Sequence, residues 1–160
     1  MNLFLKVIMS PFIVLKFLFL FLISLVTSSC KVGVKINGTL YDYKIIRVVD
    51  GDTIDIEANF LPPELGKHLK LRIYGIDTPE KGHQAKCNAE RKKAGIATKF
   101  VEEKIANAKE IKVELRKWDK FGGRVLGDLI IDGQRLSDLL ISEDLAVSYD
   151  GGRKNKNWCG

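Results

Sequence analysis

A small antiparallel β-barrel with helices laid against it is the fold class this sequence predicts. Three observations predict it. Short segments alternate apolar and polar residues, the two-residue period of half-buried strands. Turn dipeptides such as Asp50-Gly51 and Asp132-Gly133 punctuate them. Twice the period lengthens to three and four residues, which marks amphipathic helices.

Taken in order, Tyr41–Val49 is rich in Tyr, Ile and Val and runs into Asp50-Gly51, a strong hairpin signal. Thr53–Glu57 sets Ile54 and Ile56 against Asp55 and Glu57, so it pairs back as a second strand. Asn59–Gly66, with Pro62-Pro63, is a loop. In Leu69–Ile76, Leu69, Leu71 and Ile73 face one way and Lys70, Arg72 and Tyr74 the other, until Asp77-Thr78-Pro79 stops the strand. From Asn88 to Ala108 the apolar residues Ala97, Phe100, Val101, Ile105 and Ala108 recur at helical steps. Ile111–Leu115 is a fourth strand, Asp119–Gly123 a turn and Arg124–Ile131 a fifth strand. Leu136, Leu139 and Leu140 share one face of a short helix, and a Gly- and Lys-rich tail follows from Asp150. The order βββ-α-ββ-α is what a five-stranded Greek-key barrel of the OB-fold type requires, an α+β arrangement with helices outside the barrel.

The averages conceal two populations of residues. The chain has 160 residues, a net charge of +6 and a mean hydropathy near zero. Residues 1–29 hold 20 apolar residues and five of the eight Phe, with two Lys and no carboxylate. Residues 30–160 keep 24 Lys+Arg against 20 Asp+Glu, a net +4. That is one domain's worth, with its core at about 42–150 and a short basic tail. Two large domains, intrinsic disorder and low complexity are excluded.

Residues 1–29 read as an export signal. Lys6 and Lys16 precede the ten-residue apolar stretch Phe17–Val26, and Thr27-Ser28-Ser29 follow. The stretch is short of the roughly 20 residues of a spanning helix. Three fates are open: cleavage near Ser29, a lipoprotein-type signal with Cys30 lipidated, or a retained signal anchor. Each puts the domain outside the cytoplasm: extracellular, periplasmic or membrane-anchored. With Cys30 set aside, Cys87 and Cys159 form an even pair in an oxidising compartment, and a disulfide between them is expected to tether the tail.

Acids and arginines gather in Asp50–Thr53, Arg72–Glu80 and Asp119–Arg124. Singly, each has a structural explanation as a turn, a cap or a solvated strand face. Jointly they supply the parts of phosphodiester cleavage: a hard cation, a base for water, and positive charge for the phosphate. Asp52 and Asp77 are oxygen ligands for the cation, and Glu80 reaches the same ion through water. Arg72 and Arg124 can chelate phosphate oxygens bidentately. With only His68 and His83 and sparse Cys in the mature chain, a zinc site is disfavoured and a hard cation with oxygen ligands is expected. A site with so few carboxylates is weak, roughly 10⁻⁴–10⁻³ M.

The segments V-D-G-D-T, R-I-Y-G-I-D-T-P-E and D-K-F-G-G-R resemble, in order and spacing, those of the staphylococcal nuclease (thermonuclease) family. The likeness runs from about Tyr43 to Tyr149. It implies a calcium-dependent secreted nuclease on an OB-fold barrel, with Asp52, Asp77 and the Thr78 carbonyl at the metal. By the same resemblance Glu80 is the general base and Arg72 and Arg124 hold the scissile phosphate. Lys120 and Tyr149 match positions that contact nucleotide phosphates. The resemblance implies in-line attack of water that leaves 3′-phosphorylated products. Two departures are visible: Gly123 is an added residue before Arg124, and Phe121 stands where many members have Tyr.

The partners expected are DNA and RNA with little sequence specificity, and a membrane only through the leader or a lipid anchor. A monomer is expected. The rival reading is a non-catalytic OB-fold nucleic-acid-binding module, which would need neither Glu80 nor both arginines.

Overall fold

The computed structural model describes residues 35–160. The leader, its fate and Cys30 lie outside those residues. Within them, no helix is long and apolar enough to cross a membrane.

Among the described residues, nine strands and two α-helices follow in chain order. They are β1 (Thr39–Tyr41), β2 (Ile45–Asp50), β3 (Thr53–Glu57), β4 (His68–Ile73), β5 (Ile76–Asp77), α1 (Asn88–Asn107), β6 (Ile111–Trp118), β7 (Arg124–Ile131), β8 (Gln134–Arg135), α2 (Leu136–Ser142) and β9 (Val147–Ser148). The main sheet runs β1-β6-β7-β4-β3-β2, with β8 added to β7. All its pairings are antiparallel except β4 with β7. The expected succession of three strands, helix, two strands, helix is present, and the barrel-like sheet with two helices fits the OB-fold class.

Two expectations are corrected. The first strand is not continuous over Tyr41–Val49: β1 pairs with β6, whereas β2 pairs with β3. The two edges of the sheet are therefore consecutive pieces of one segment. Only Asp42–Lys44 separate them, which spans at most about 14 Å, so the sheet must curl until its edges are near. It is not closed by hydrogen bonds between β1 and β2. The third strand also ends sooner than expected, at Ile73. Gly75 at φ 83°, a conformation that L side chains rarely adopt, turns the chain. Ile76 and Asp77 then pair with β9 in a separate two-stranded sheet, and the Tyr149 amide donates to the Gly75 carbonyl at 2.8 Å. That kink delivers Asp77 beside Asp52.

The core collects the inward residues of the sheet (Ile54, Ile56, Leu71, Ile73, Val113, Leu129) with Ala97 and Val101 of α1 and Leu136 and Leu140 of α2. Burying side chains of this size stabilises by about 1.5–3 kcal/mol each. Asp55, expected on the solvated face, is 3% exposed. Its cross-strand neighbours Arg47 and Lys70 reach over it, at 2.7 and 3.9 Å. A disulfide joins Cys87 to Cys159, 72 residues apart and with Cα atoms at 6.0 Å. Closing a loop of that length restricts the unfolded chain by about 4 kcal/mol in the chain-entropy treatment.

A second buried polar group ties the N-terminal segment to the sheet. Arg135 pairs with Glu114 and, at 3.3 Å, with Asp128, and its guanidinium also donates to the Lys35 carbonyl. Ser137 donates its hydroxyl to Asp128 at 2.6 Å, and the Asn37 amide donates to Glu114 at 2.7 Å. Buried charges survive only when partnered in this way.

Candidate active site

The turn Asp50-Gly51 reverses the chain between β2 and β3 and places Asp52 at its exit. Gly51 has little room for a side chain: a Cβ there would meet Ala97 Cβ at 3.0 Å and Thr78 Cβ at 3.2 Å. The turn is thus wedged between α1 and the segment after β5. Asp52 is 1% exposed. Its Oδ1 pairs with Arg72 Nη1 and accepts from Thr53 Oγ1, and its Oδ2 accepts from the Thr78 amide at 3.1 Å and hydroxyl at 2.8 Å. Burial raises its pKa to about 7, against the pull of Arg72; the Asp50 charge pushes the same way as burial.

Arg72 stands opposite Thr53 in the β3–β4 ladder. Its Nη2 lies 3.7 Å from Asp77 Oδ1, so one guanidinium spans both aspartates. On the other side of Asp77, Lys154 Nζ sits 2.6 Å from the same Oδ1 and donates to Glu80 Oε1 at 2.5 Å. Burial works to lower the Lys154 pKa, but hydrogen bonds to Asp77 and Glu80 and their charges leave it raised. The five charged groups thus alternate in sign: Asp52, Arg72, Asp77, Lys154, Glu80. The Glu80 backbone is fixed from beneath, where buried Glu90 accepts from the Glu80 amide at 3.3 Å and the Lys86 amide at 2.6 Å.

Arg124 is not part of that cluster. Its Nη2 pairs with Asp119 at 2.5 Å across the turn, and its guanidinium lies over the Phe121 ring at 5.0 Å. In the parallel β4–β7 ladder it faces Lys70, two residues before Arg72. Partners in register share a face, so Arg72 and Arg124 arise about 8 Å apart on one face. That is within reach of one phosphate. Lys120 and Tyr149 meet at the start of the tail: Lys120 donates to the Gly151 carbonyl at 3.3 Å, and the Tyr149 hydroxyl donates to the Gly152 carbonyl at 2.7 Å. Tyr149 also lines a cleft of about 670 Å³ whose wall includes Asp77, Arg153, Lys154 and Lys156.

Residues 70–158 match the sequence model of the family described as Staphylococcal nuclease homologue, more than half of the chain. The chain belongs to the staphylococcal nuclease family. A relative within reach is the protein named Thermonuclease from Staphylococcus hyicus, 33% identical over 112 residues. That alignment covers 69% of this chain and 60% of the relative's length.

The staphylococcal nuclease-family match takes in Arg72, Asp77, Thr78, Glu80 and Arg124, and stops short of Asp52. A hard divalent cation fits what these residues offer. Asp77 Oδ1 is buried, with Lys154 Nζ at 2.6 Å and Arg72 Nη2 at 3.7 Å, so it already faces positive charge, as a cation ligand would. The donors are oxygens throughout. Among the described residues, the tight grouping of potential metal ligands is Cys87, Glu90 and Cys159, whose sulfurs are spent on the disulfide. Asp52, Asp77 and Glu80 do not form such a grouping, because Arg72 and Lys154 are interleaved with them.

Sequence reasoning missed Glu90, and it placed Asp119 in a candidate segment and Lys154 among the basic residues near the site without finding their partners. A signal for Glu90 was present: Cys87 caps α1 by accepting from the Glu90 amide at 3.4 Å, and an acid three residues after a cap is placed to reach back to loop amides. Nothing along the chain pairs Asp119 with Arg124, or Lys154 of the basic tail with Glu80; those pairings exist only in the folded protein.

Proposed function

We propose that this chain is an exported, calcium-dependent nuclease that hydrolyses phosphodiester bonds of DNA and RNA without regard to sequence, as an endo- or exonuclease leaving 3′-phosphorylated products. The observation that carries the reading is Arg72, a half-sequestered guanidinium held between two buried aspartates, Asp52 and Asp77, at the base of the loop that bears Glu80. A guanidinium in that position can present its remaining donors to a phosphate while the aspartates fix its plane.

Calcium held by Asp52 and Asp77, with the Thr78 carbonyl, would supply positive charge to a phosphate oxygen. Thr78 meanwhile orients Asp52 through its amide and hydroxyl. Glu80, 35% exposed at the side chain, accepts the proton of the attacking water. The water oxygen bonds to phosphorus as the bond to the 5′-oxygen breaks, and that oxygen leaves with the electron pair. Arg72 and Arg124 offset the negative charge that gathers on the phosphate. Arg124 must turn from Asp119 to do so, which its 29% exposed side chain permits. Phe121, 58% exposed with Lys120 and Arg124 over its ring, offers a flat apolar face to an unstacked base.

The test is cleavage of single-stranded DNA by the purified full chain with calcium, with a chelator, and in the Glu80→Gln variant. Calcium-dependent cleavage that falls at least about 100-fold in the variant is expected. Cleavage indifferent to the chelator, or undiminished in Glu80→Gln, would sink the reading. Binding of the DNA without any cleavage would instead favour the binding module.

A further inference from the structure

The Cys87–Cys159 bond joins two segments that both bear on Glu80. On one side, Cys87 caps α1, and Glu90 in the first turn of that helix holds the Glu80 and Lys86 amides. On the other side, Cys159 ends a tail whose Trp158 is 9% exposed and whose Lys156 lies over the Trp158 ring at 5.3 Å. Five residues before the cysteine, Lys154 reaches Glu80 Oε1 at 2.5 Å and Asp77 Oδ1 at 2.6 Å. Among the described residues, this is the hydrogen bond that the Glu80 carboxylate receives.

Asp77 and Glu80 are like charges three residues apart, and without a cation between them they would turn away from each other. A lysine on a free tail would do little about that, because an exposed pair loses in side-chain entropy most of what it gains in attraction. The disulfide changes the case by keeping the tail beside the site and raising the effective concentration of the ammonium there. We propose that Lys154 is a positioning residue of the nuclease: the tail, anchored through Cys87–Cys159, holds the Glu80 carboxylate beside Asp77, and reduction of the bridge releases it. The proposal rests on the nuclease reading above, with Glu80 as the base. Reduction by a dithiol such as dithiothreitol delivers two electrons and two protons to the bridge, giving two thiols while the reagent becomes a disulfide.

The experiment is steady-state cleavage of single-stranded DNA by the full chain with saturating calcium, at a temperature where circular dichroism shows each form folded. Lys154→Met is expected to lower kcat about 10- to 100-fold with KM within about twofold, the signature of a displaced base. Lys154→Arg restores most of the loss. Dithiothreitol lowers the kcat of the unaltered chain by a similar factor and has little further effect on Lys154→Met. An unchanged kcat in Lys154→Met overturns the proposal, as does a change confined to KM, which would make the lysine a phosphate contact. A rise in kcat, or tighter calcium activation, overturns it too, since the lysine would then compete with the metal. If the reduced chain does not fold, the two Lys154 variants still decide. An unaltered chain inactive with calcium, magnesium and manganese overturns the nuclease reading itself, and the proposal with it. An active chain indifferent to Lys154→Met overturns only the proposal.

Discussion

The guanidinium of Arg72 is ion-paired with the buried carboxylate of Asp52 rather than spread on the solvated face of its strand. The pair stabilises the fold as well as orienting the guanidinium for the phosphate contact proposed above. Arg72→Met leaves Asp52 buried without its counter-ion and should cost about 3 kcal/mol in urea denaturation. The high pKa of Asp52 limits the cost, because the carboxyl can take up a proton instead. Arg72→Lys keeps a charge but loses the planar fork. It should destabilise less, yet lower kcat by about 100-fold. A kinetic loss no greater than the loss in DNA binding would contradict the assignment.

Calcium activation should depend on pH through Asp52. Burial holds its pKa at about 7, so below that pH a proton must leave before a cation can bind. The apparent calcium Kd, followed by titration calorimetry, should rise by up to about tenfold for each pH unit below 7 and level off above it. A Kd constant from pH 5.5 to 8 is the contrary result.

Asp128 should give stability its own pH dependence. Burial raises its pKa to about 6, and the bonds from Ser137 and the Arg135 charge only partly oppose this. Between the ordinary carboxylate value of 3.8 and about 6, the folded chain keeps a proton that the unfolded chain has released. That contribution is present at low pH and lost as pH rises to about 6, a change of about 3 kcal/mol. Glu114, whose pKa is lowered despite burial, has the opposite sign but is common to both proteins compared. The stability of the unaltered chain minus that of Asp128→Asn should thus decline from pH 4 to pH 7. A flat difference in denaturation midpoints would show that Asp128 does not titrate there.

Two glycines should respond oppositely to alanine. At Gly127 a Cβ would lie 1.9 Å from the Glu114 carbonyl oxygen and 2.9 Å from Leu71 Cδ1, so β6 would have to shift. Gly127→Ala should destabilise by about 3 kcal/mol or more. Gly95 lies on the exposed side of α1 with open space around it, and Gly95→Ala should stabilise by about 0.5–1 kcal/mol. Thermal midpoints moving in the same direction would refute the pair.

The period-two and helical patterns were legible because they report which face of each element is buried. Ile54, Ile56, Leu71, Ala97 and Leu140 all went where alternation and helical spacing put them. Asp55 was misread because the side chains that bury it, Arg47 and Lys70, come from strands whose register is a property of the whole sheet. The break at Gly75 was missed for a related reason: the apolar pattern runs through it, and only pairing with Val147–Ser148 makes the bend worthwhile.

Sequence alone determined the family, the succession of three strands, helix, two strands and helix, and which acids and arginines are candidates for the site, because each depends on residue type and spacing along the chain. That Cys87 and Cys159 pair depends on the fold bringing their Cα atoms to 6.0 Å. Tertiary structure decided how those groups are shared out. Arg72 is divided between two aspartates, Arg124 is held by Asp119, and Lys154 arrives from 74 residues beyond Glu80. Electrostatic attraction falls off with distance through space, not along the chain. The neighbours that set a buried charge's ionisation and direction become defined only when the sheet curls and the disulfide brings the tail home.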